Sequence, residues 1–302
     1  MNIIKDMDFH EFIGKQQSQS VERFEDYKEE ALYLLRNPQK ISGDKMPWLK
    51  THEDFGFRGG EITIWAGVNG NGKSLVMGQV ALWLAKTTKV LIASMEMTPS
   101  RQLGRIYRQM SGSLCPTDSQ VDDFHKLTSD NLWVYNKQGS VEANQIIGMC
   151  HWAAKEQGIK HIMIDSIVMC RVNQKENMAQ RDFVNSLAEV ARTTGCHIHL
   201  VNHIRKPDSQ NVNKMPTKFD IKGAGEITDL ADNVLIVHID QVKKESKRKG
   251  DSYDKRSFDC FISLDKQRHG ETNSEIWGFF WHSESLQWLE DYPLYNQPMK
   301  WL

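Results

Sequence analysis

The sequence predicts an α/β protein with a mostly parallel central sheet flanked by helices, terminal antiparallel strands, and an N-terminal helical arm. Three observations carry that prediction. From Glu61 onward, short β-rich runs alternate with stretches of helical period. Several runs, such as Ile62-Thr-Ile-Trp and Ile162-Met-Ile, are apolar almost throughout. That pattern belongs to strands buried on both faces, as in a parallel sheet covered by helices. The last two runs are separated only by a turn and read as an antiparallel pair.

Residues 1–45 are polar and charged, with one amphipathic stretch. Between Val21 and Leu35 the apolar residues Phe24, Tyr27, Ala31, Leu32, Leu34 and Leu35 recur at intervals of three and four, and Asn37-Pro38 ends the pattern. One helix with one sticky face is too small to be a domain. It must dock either on its own body or on another subunit. The body is taken as residues 46–302. Its expected strands are Glu61–Ala66, Val90–Ser94, Leu132–Tyr135, His161–Asp165, His197–Asn202, Asn233–Ile239, Phe258–Leu264 and Glu275–Trp281. Helical periods lie near 73–86, 99–111, 142–157 and 178–194. Two segments lack periodicity, Arg205–Lys222 and Gln241–Arg256; loops this long in a compact domain are usually functional or mobile. The second is expected as a hairpin on the rim, a solvated edge loop or a contact for a partner molecule.

The 302 residues carry 38 Lys+Arg against 39 Asp+Glu, a net charge of −1, which excludes a globally basic nucleic-acid coat but not a local basic groove. Hydrophobic content of 39% argues against wholesale disorder. No apolar run approaches the roughly 18–20 residues that span a bilayer, and MNIIKDMDFHEFIGK has no signal-peptide core. Five scattered cysteines (Cys115, Cys150, Cys170, Cys196, Cys260) form no C-x-x-C pair, so neither a zinc site nor a disulfide framework is expected and a reducing cytoplasm is the natural compartment.

The most specific signal is Gly67-Val-Asn69-Gly70-Asn71-Gly72-Lys73-Ser74, a match to G-x-x-x-x-G-K-[ST] placed between a strand and a helix that opens at Leu75. Glycines let backbone N–H groups curl around phosphate oxygens, and the helix N-terminus adds positive potential. Lys73 reaches the β/γ-phosphates and the Ser74 hydroxyl ligates Mg²⁺. Gly67, Asn69, Gly70, Asn71, Gly72, Lys73, Ser74 and Leu75 therefore form the expected binding set for ATP or another NTP. An NTP site of this kind also needs a carboxylate for the metal. Asp165 ends the apolar run His161–Asp165 and serves if its strand neighbours the loop, because ligands bind outside the carboxyl ends of strands. Glu96, after Val90–Ser94, is placed either to polarise the attacking water or to start a helix ahead of Thr98-Pro99.

The order of these pieces, from about Pro47 to Glu290, resembles the hexameric replicative helicases with a RecA-like core: the DnaB type, the phage helicase–primases and Twinkle. Phe57-Arg-Gly-Gly60-Glu61-Ile-Thr-Ile resembles the strand before that family's P-loop, and Ser94-Met-Glu96-Met97 its S-L-E-M, whose Glu is the catalytic base. His203-Ile-Arg205-Lys206-Pro207 is similar to the motif whose His or Gln senses the γ-phosphate beside a DNA-binding loop. Lys222-Gly223-Ala-Gly225 through Asp232 is similar to R-G-S-G-x-I-x-Q-x-A-D, with Glu226 and Thr228 as departures. Asp265-Lys266-Gln267-Arg268-His269-Gly270 is close to K-x-R-x-G, which implies Arg268 as an arginine finger and Lys266 as its companion in a neighbouring subunit's site.

The resemblance implies a RecA-like P-loop NTPase core, here without a primase domain. It implies an ATP- and Mg²⁺-dependent ring, hexameric in the family, that translocates on single-stranded DNA, unwinds duplex and works with a separate primase or loader in the cytoplasm (a host's, if the chain is phage-encoded). Arg205, Lys206, Lys214, Lys218 and Lys222 are the expected DNA contacts, opposed only by Asp208 and Asp220. A second loop, Arg171–Arg181, also faces the channel in this reading. Without interleaved aromatics, little base preference is expected. Trp277-Gly-Phe-Phe-Trp281 is expected in the core, with one aromatic as a candidate flank for the nucleotide base. The alternatives are a recombinase-like DNA-binding ATPase that does not unwind, and a nucleotide-switched loader or assembly factor.

Overall fold

The structure is a computed structural model and describes residues 2–4, 23–37, 42–172, 177–204, 214–270, 274–292 and 298. Ten strands form one sheet: β1 (Asn2–Ile4), β2 (Ile62–Gly67), β3 (Val90–Ser94), β4 (Leu132–Tyr135), β5 (His161–Asp165), β6 (His197–His203), β7 (Asn233–Ile239), β8 (Cys260–Gln267), β9 (Ile276–His282) and β10 (Gln287–Leu289). Their spatial order is β1-β4-β3-β5-β6-β2-β7-β8-β9-β10. Pairing is parallel from β1 to β7 and antiparallel from β7 onward.

The apolar strands are buried on both faces, as their composition predicts. Along β2, Ile62, Ile64 and Ala66 point into one core while Trp65 points into the other. The first core lies under helices α5 (Ala143–Gln157), α6 (Asn177–Thr194) and α7 (Ala224–Leu230); the second lies under α2 (Lys73–Leu84), α3 (Pro99–Ser111) and α4 (Asp118–Thr128). Met46, Trp48, Phe55 and Phe57, which precede the first long strand, are buried in the second core.

Five elements among the described residues escape the sequence expectations, helix α7 being one of them. Strand β1 adds an edge beside β4, and β10 follows β9. Helix α4 starts at a capping box in which the Thr117 hydroxyl accepts from Gln120 N at 3.3 Å and Gln120 returns the bond; the T-x-x-Q spacing was the signal. The segment expected as an aperiodic hairpin loop begins instead as helix α8 (Gln241–Lys249). Asp240 caps its N-terminus through Lys243 N at 2.9 Å, and Gly250 ends it with φ of +76°. Its single apolar residue, Val242, gives no stripe to detect. The dense basic run is largely paired inside the helix region: Lys243 and Lys247 hold Asp259 at 2.9 and 2.6 Å, and Arg248 and Lys249 hold Glu245.

The arm carries helix α1 (Lys28–Arg36) after a 3-10 turn at Phe24–Tyr27. Phe24, Tyr33 and Leu35 stay exposed, while Leu32 is half-buried.

Candidate functional site

The C-terminal ends of the parallel strands converge on the phosphate loop. Gly70 and Gly72 adopt φ of +82° and +81°, a left-handed backbone that L side chains rarely take, and this lets the loop curl into the N-terminus of α2. Lys73 is buried; its Nζ donates to Gly67 O at 2.8 Å and Val68 O at 3.2 Å. Burial pulls its ammonium down to about 8, against the opposing pull of Asp165 and Glu96.

Asp165 does not lie on a strand adjacent to the loop strand, because β6 runs between β5 and β2. It reaches the site because α2 passes over that gap: the Ser74 hydroxyl donates to Asp165 Oδ2 at 2.5 Å. Burial pushes the Asp165 carboxyl up, Glu96 adds to this, and Ser74, Lys73 and Arg105 oppose it. A hydroxyl and a carboxylate side by side at a helix N-terminus form a hard oxygen pair that fits Mg²⁺, which takes few protein ligands and completes its shell with phosphate and water. Among the described residues no group of three or more His, Cys, Asp or Glu is disposed to hold a metal.

Glu96 is exposed past the end of β3, and Ser166 Oγ donates to its Oε1 at 2.9 Å. Ser166 escaped the sequence reading, although it directly follows Asp165. The Asp165–Ser166 peptide is cis. Thr98, not Glu96, caps α3, accepting from Arg101 N at 3.3 Å. The helix itself starts from Thr98, and the Glu96 charge is near enough to act on Lys73.

His203 ends β6 in register with Gly67. Its Nδ1 is buried with no hydrogen-bond partner among the described residues. Burial holds the imidazole below its ordinary value, and Lys73 and Lys222 add to this while Glu96 opposes it. Its carbonyl accepts from Lys222 N at 3.0 Å, and Ile204 bridges Ile221. The segment carrying Arg205 and Lys206 is thus closed at its base by the residue that abuts the phosphate loop. Arg205 and Lys206 themselves lie outside the described residues, as does part of the Arg171–Arg181 loop. Lys214 and Lys222 are exposed and Lys218 is half-buried. A single aromatic stands here, Phe219, which is 76% exposed with Lys218 Nζ 5.4 Å from its ring centre. Gly223 closes the segment with φ of +71°; a Cβ there would lie 2.4 Å from Gln180 Oε1.

Arg268 and Lys266 sit at the other end of the sheet. Strand β8 runs antiparallel to β7, and Gln267 pairs with Asn233, which in turn aligns with Thr63 at the start of β2. A rise of about 3.3 Å per residue from Thr63 to Gly67 puts at least roughly 13 Å between Arg268 and its own phosphate loop. Arg268 bonds Asp232 Oδ1 at 3.1 Å and Asp229 O at 2.7 Å, and Lys266 Nζ bonds Thr228 O and Asp229 O at 2.8 and 3.1 Å. The segment through Asp232 thus holds Arg268 and Lys266 in place.

A cavity of about 280 Å³ opens beside the loop on the β7 side, lined by Gly70, Gly72, Leu75, Lys244, Trp281 and Trp288 among others. Trp277 and Phe279 are core residues and Trp281 is half-buried.

Residues 52–286 match the DnaB-like helicase C-terminal domain family. Two solved structures share the fold. One is an ATPase domain, with a TM-score of 0.71 and 14% identity over 87% of this chain and 98% of that one. The other is a DnaB-like replicative helicase described with its interactions with primase, with a TM-score of 0.72 and 15% identity over 89% of this chain and 67% of that one. No described helix is long and apolar enough to cross a membrane. With its phosphate loop intact and the family matched across most of its length, the chain belongs to the DnaB-like helicase C-terminal domain family and is an NTP-hydrolysing motor of a replicative DNA helicase.

Proposed function

We propose that this motor works as a closed head-to-tail ring, hexameric as the family resemblance implies, with nucleotide held between subunits and single-stranded DNA in the central channel. The carrying observation is the separation of Arg268 and Lys266 from their own phosphate loop. A finger that cannot reach its own site must serve another, and head-to-tail contacts that close generate a ring.

In this reading Gly67, Asn69, Gly70, Asn71, Gly72, Lys73, Ser74 and Leu75 cradle the phosphates of ATP or another NTP. Ser74 and Asp165 would hold Mg²⁺, which neutralises phosphate charge when bound. Glu96 orients and deprotonates the attacking water, and its bond from Ser166 keeps the carboxylate aimed. The neighbour's Arg268, with Lys266, meets charge developing on the transferred phosphoryl group. A neutral His203 with an unpaired nitrogen donates to the γ-phosphate, and its backbone link to Lys222 carries that contact into the DNA segment. Lys214, Lys218 and Lys222, with Arg205 and Lys206, grip the DNA backbone. Phe219 adds one stacking face beside this grip. The exposed face of α1 packs on the adjacent subunit. A separate primase or loader and a cytoplasmic, phage-type setting complete the proposal.

The decisive experiment is unwinding of a forked DNA duplex with Mg²⁺ and ATP, with Lys73→Ala as the control. Strand separation by the intact protein alone is expected. ATP hydrolysis stimulated by single strands but without separation, together with filaments rather than rings on imaging, would overturn the ring.

A further inference from the structure

We propose that α8 forms a second wall of the nucleotide site, in which Gln241 positions the phosphate loop and Lys244 contacts the sugar–phosphate side of a bound nucleoside triphosphate. This rests on the nucleotide site described above and adds two residues to it.

The helix follows β7 directly, and β7 is the hydrogen-bonded neighbour of β2, so α8 opens at the same end of the sheet as the phosphate loop. Its first residue makes the link: Gln241 Nε2 donates to Asn71 Oδ1 at 2.9 Å. Asn71 is 2% exposed, and its Nδ2 is buried with no partner among the described residues. A buried amide held at one end only is oriented by that single bond. The Asn71 backbone lies between Gly70 and Gly72, the two residues whose left-handed geometry shapes the loop. Losing the Gln241 bond therefore frees the loop where its N–H groups must converge on phosphate.

Lys244 lies one turn further on. The Ser74, Asp165 and Glu96 groups mark the γ-phosphate end of the site on the β3–β5 side, so the nucleoside extends the other way, toward β7 and β8. The 280 Å³ cavity lies on that side, and Lys244 lines it together with Gly70, Gly72 and Leu75. The other cations of α8 are engaged by Asp259 and Glu245, whereas Lys244 is exposed and forms no ion pair among the described residues. The cavity's two carboxylates are also engaged. Asp240 caps the helix, and Asp259 holds Lys243 and Lys247 and accepts from Trp281 N at 2.9 Å. Lys244 is thus the cation left to face an anionic ligand.

The test is equilibrium binding of a fluorescent ADP analogue with Mg²⁺, paired with steady-state ATP hydrolysis. Lys244→Ala should weaken binding about five- to tenfold, Lys244→Arg should restore it and Lys244→Glu should weaken it further. Gln241→Ala should lower kcat as well as affinity, and the Gln241→Ala/Asn71→Ala double variant should be no worse than Asn71→Ala alone. DNA binding without nucleotide should not change in any of them. Wild-type affinity in all three Lys244 variants, or additive Gln241 and Asn71 effects, would overturn the proposal. Lys73→Ala separates the two levels: normal turnover in that variant sinks the nucleotide site itself, and lost turnover beside silent α8 variants sinks only the wall.

Discussion

The two ends of the sheet treat their cations in opposite ways. At the phosphate-loop end Lys73 is buried, its bonds go to backbone carbonyls of its own loop, and burial pulls it to about 8. At the far end Arg268 and Lys266 are partly exposed and rest on Asp232 and the carbonyls that end α7. Burying a lone cation is costly unless a charge arrives to meet it, so Lys73 is poised for a triphosphate at its own loop. The far cations lie on satisfactory but exchangeable partners, which suits groups that leave one surface for another. The contrast is what the proposed division of one site between two copies of the chain requires.

The most severe break is on the loop side. Lys73→Ala should reduce turnover by at least about 10³-fold, read as phosphate release with single-stranded DNA present. Arg268→Ala should cut kcat by about 10³-fold while nucleotide binding stays intact, because the finger acts only as charge develops. Mixing the two inactive variants sharpens the comparison. A ring containing both kinds of subunit has some interfaces with an intact Lys73 facing an intact Arg268, so activity should return to part of the wild-type level. No recovery at any mixing ratio would count against a shared site. His203→Ala is expected to do less to basal hydrolysis, roughly tenfold, but to remove its stimulation by single-stranded DNA.

How much of this was legible in the sequence depended on whether each feature is local. The phosphate-loop motif and the long strands were legible because glycine spacing and apolar runs are written in consecutive residues. Asp165 was expected near the loop only if its strand neighboured β2; it does not, and the crossing of α2 supplies its contact with Ser74 instead. Helix α8 was missed because a helix held by Lys243 and Lys247 on Asp259 needs no apolar stripe. The Gln241–Asn71 bond joins residues 170 positions apart, and no local pattern announces it. The partners of Arg268 were half visible: the resemblance of the segment through Asp232 was noted, but not that its carboxylate and carbonyls hold Arg268.

The histidines extend the same contrast and give the smallest effect. His203, at the loop end, is half-buried, and its Nδ1 has no hydrogen-bond partner among the described residues. At the far end His161, His197 and His199 are buried with their ring nitrogens engaged. Trp65 Nε1 donates to His199 Nδ1 at 3.2 Å, His199 Nε2 lies 3.1 Å from His161 Nδ1, and His161 Nε2 lies 2.9 Å from Asp44 Oδ2. His197 sits between Thr63 Oγ1 at 2.8 Å and Arg58 O at 2.6 Å. Burial, reinforced by neighbouring histidines, pulls His197 down to about 3 and His199 well below its ordinary value. Both stay neutral in the folded chain but protonate near 6.5 once unfolded. Their contribution to stability is therefore complete above pH 6.5 and is lost as pH falls toward 3. Unfolding at pH 5.5 should take up about two protons from this pair, read as the slope of urea-unfolding free energy against pH. His199→Gln should lower stability at every pH yet reduce that slope by about one proton. An unchanged slope would show that the far end does not lock its histidines neutral.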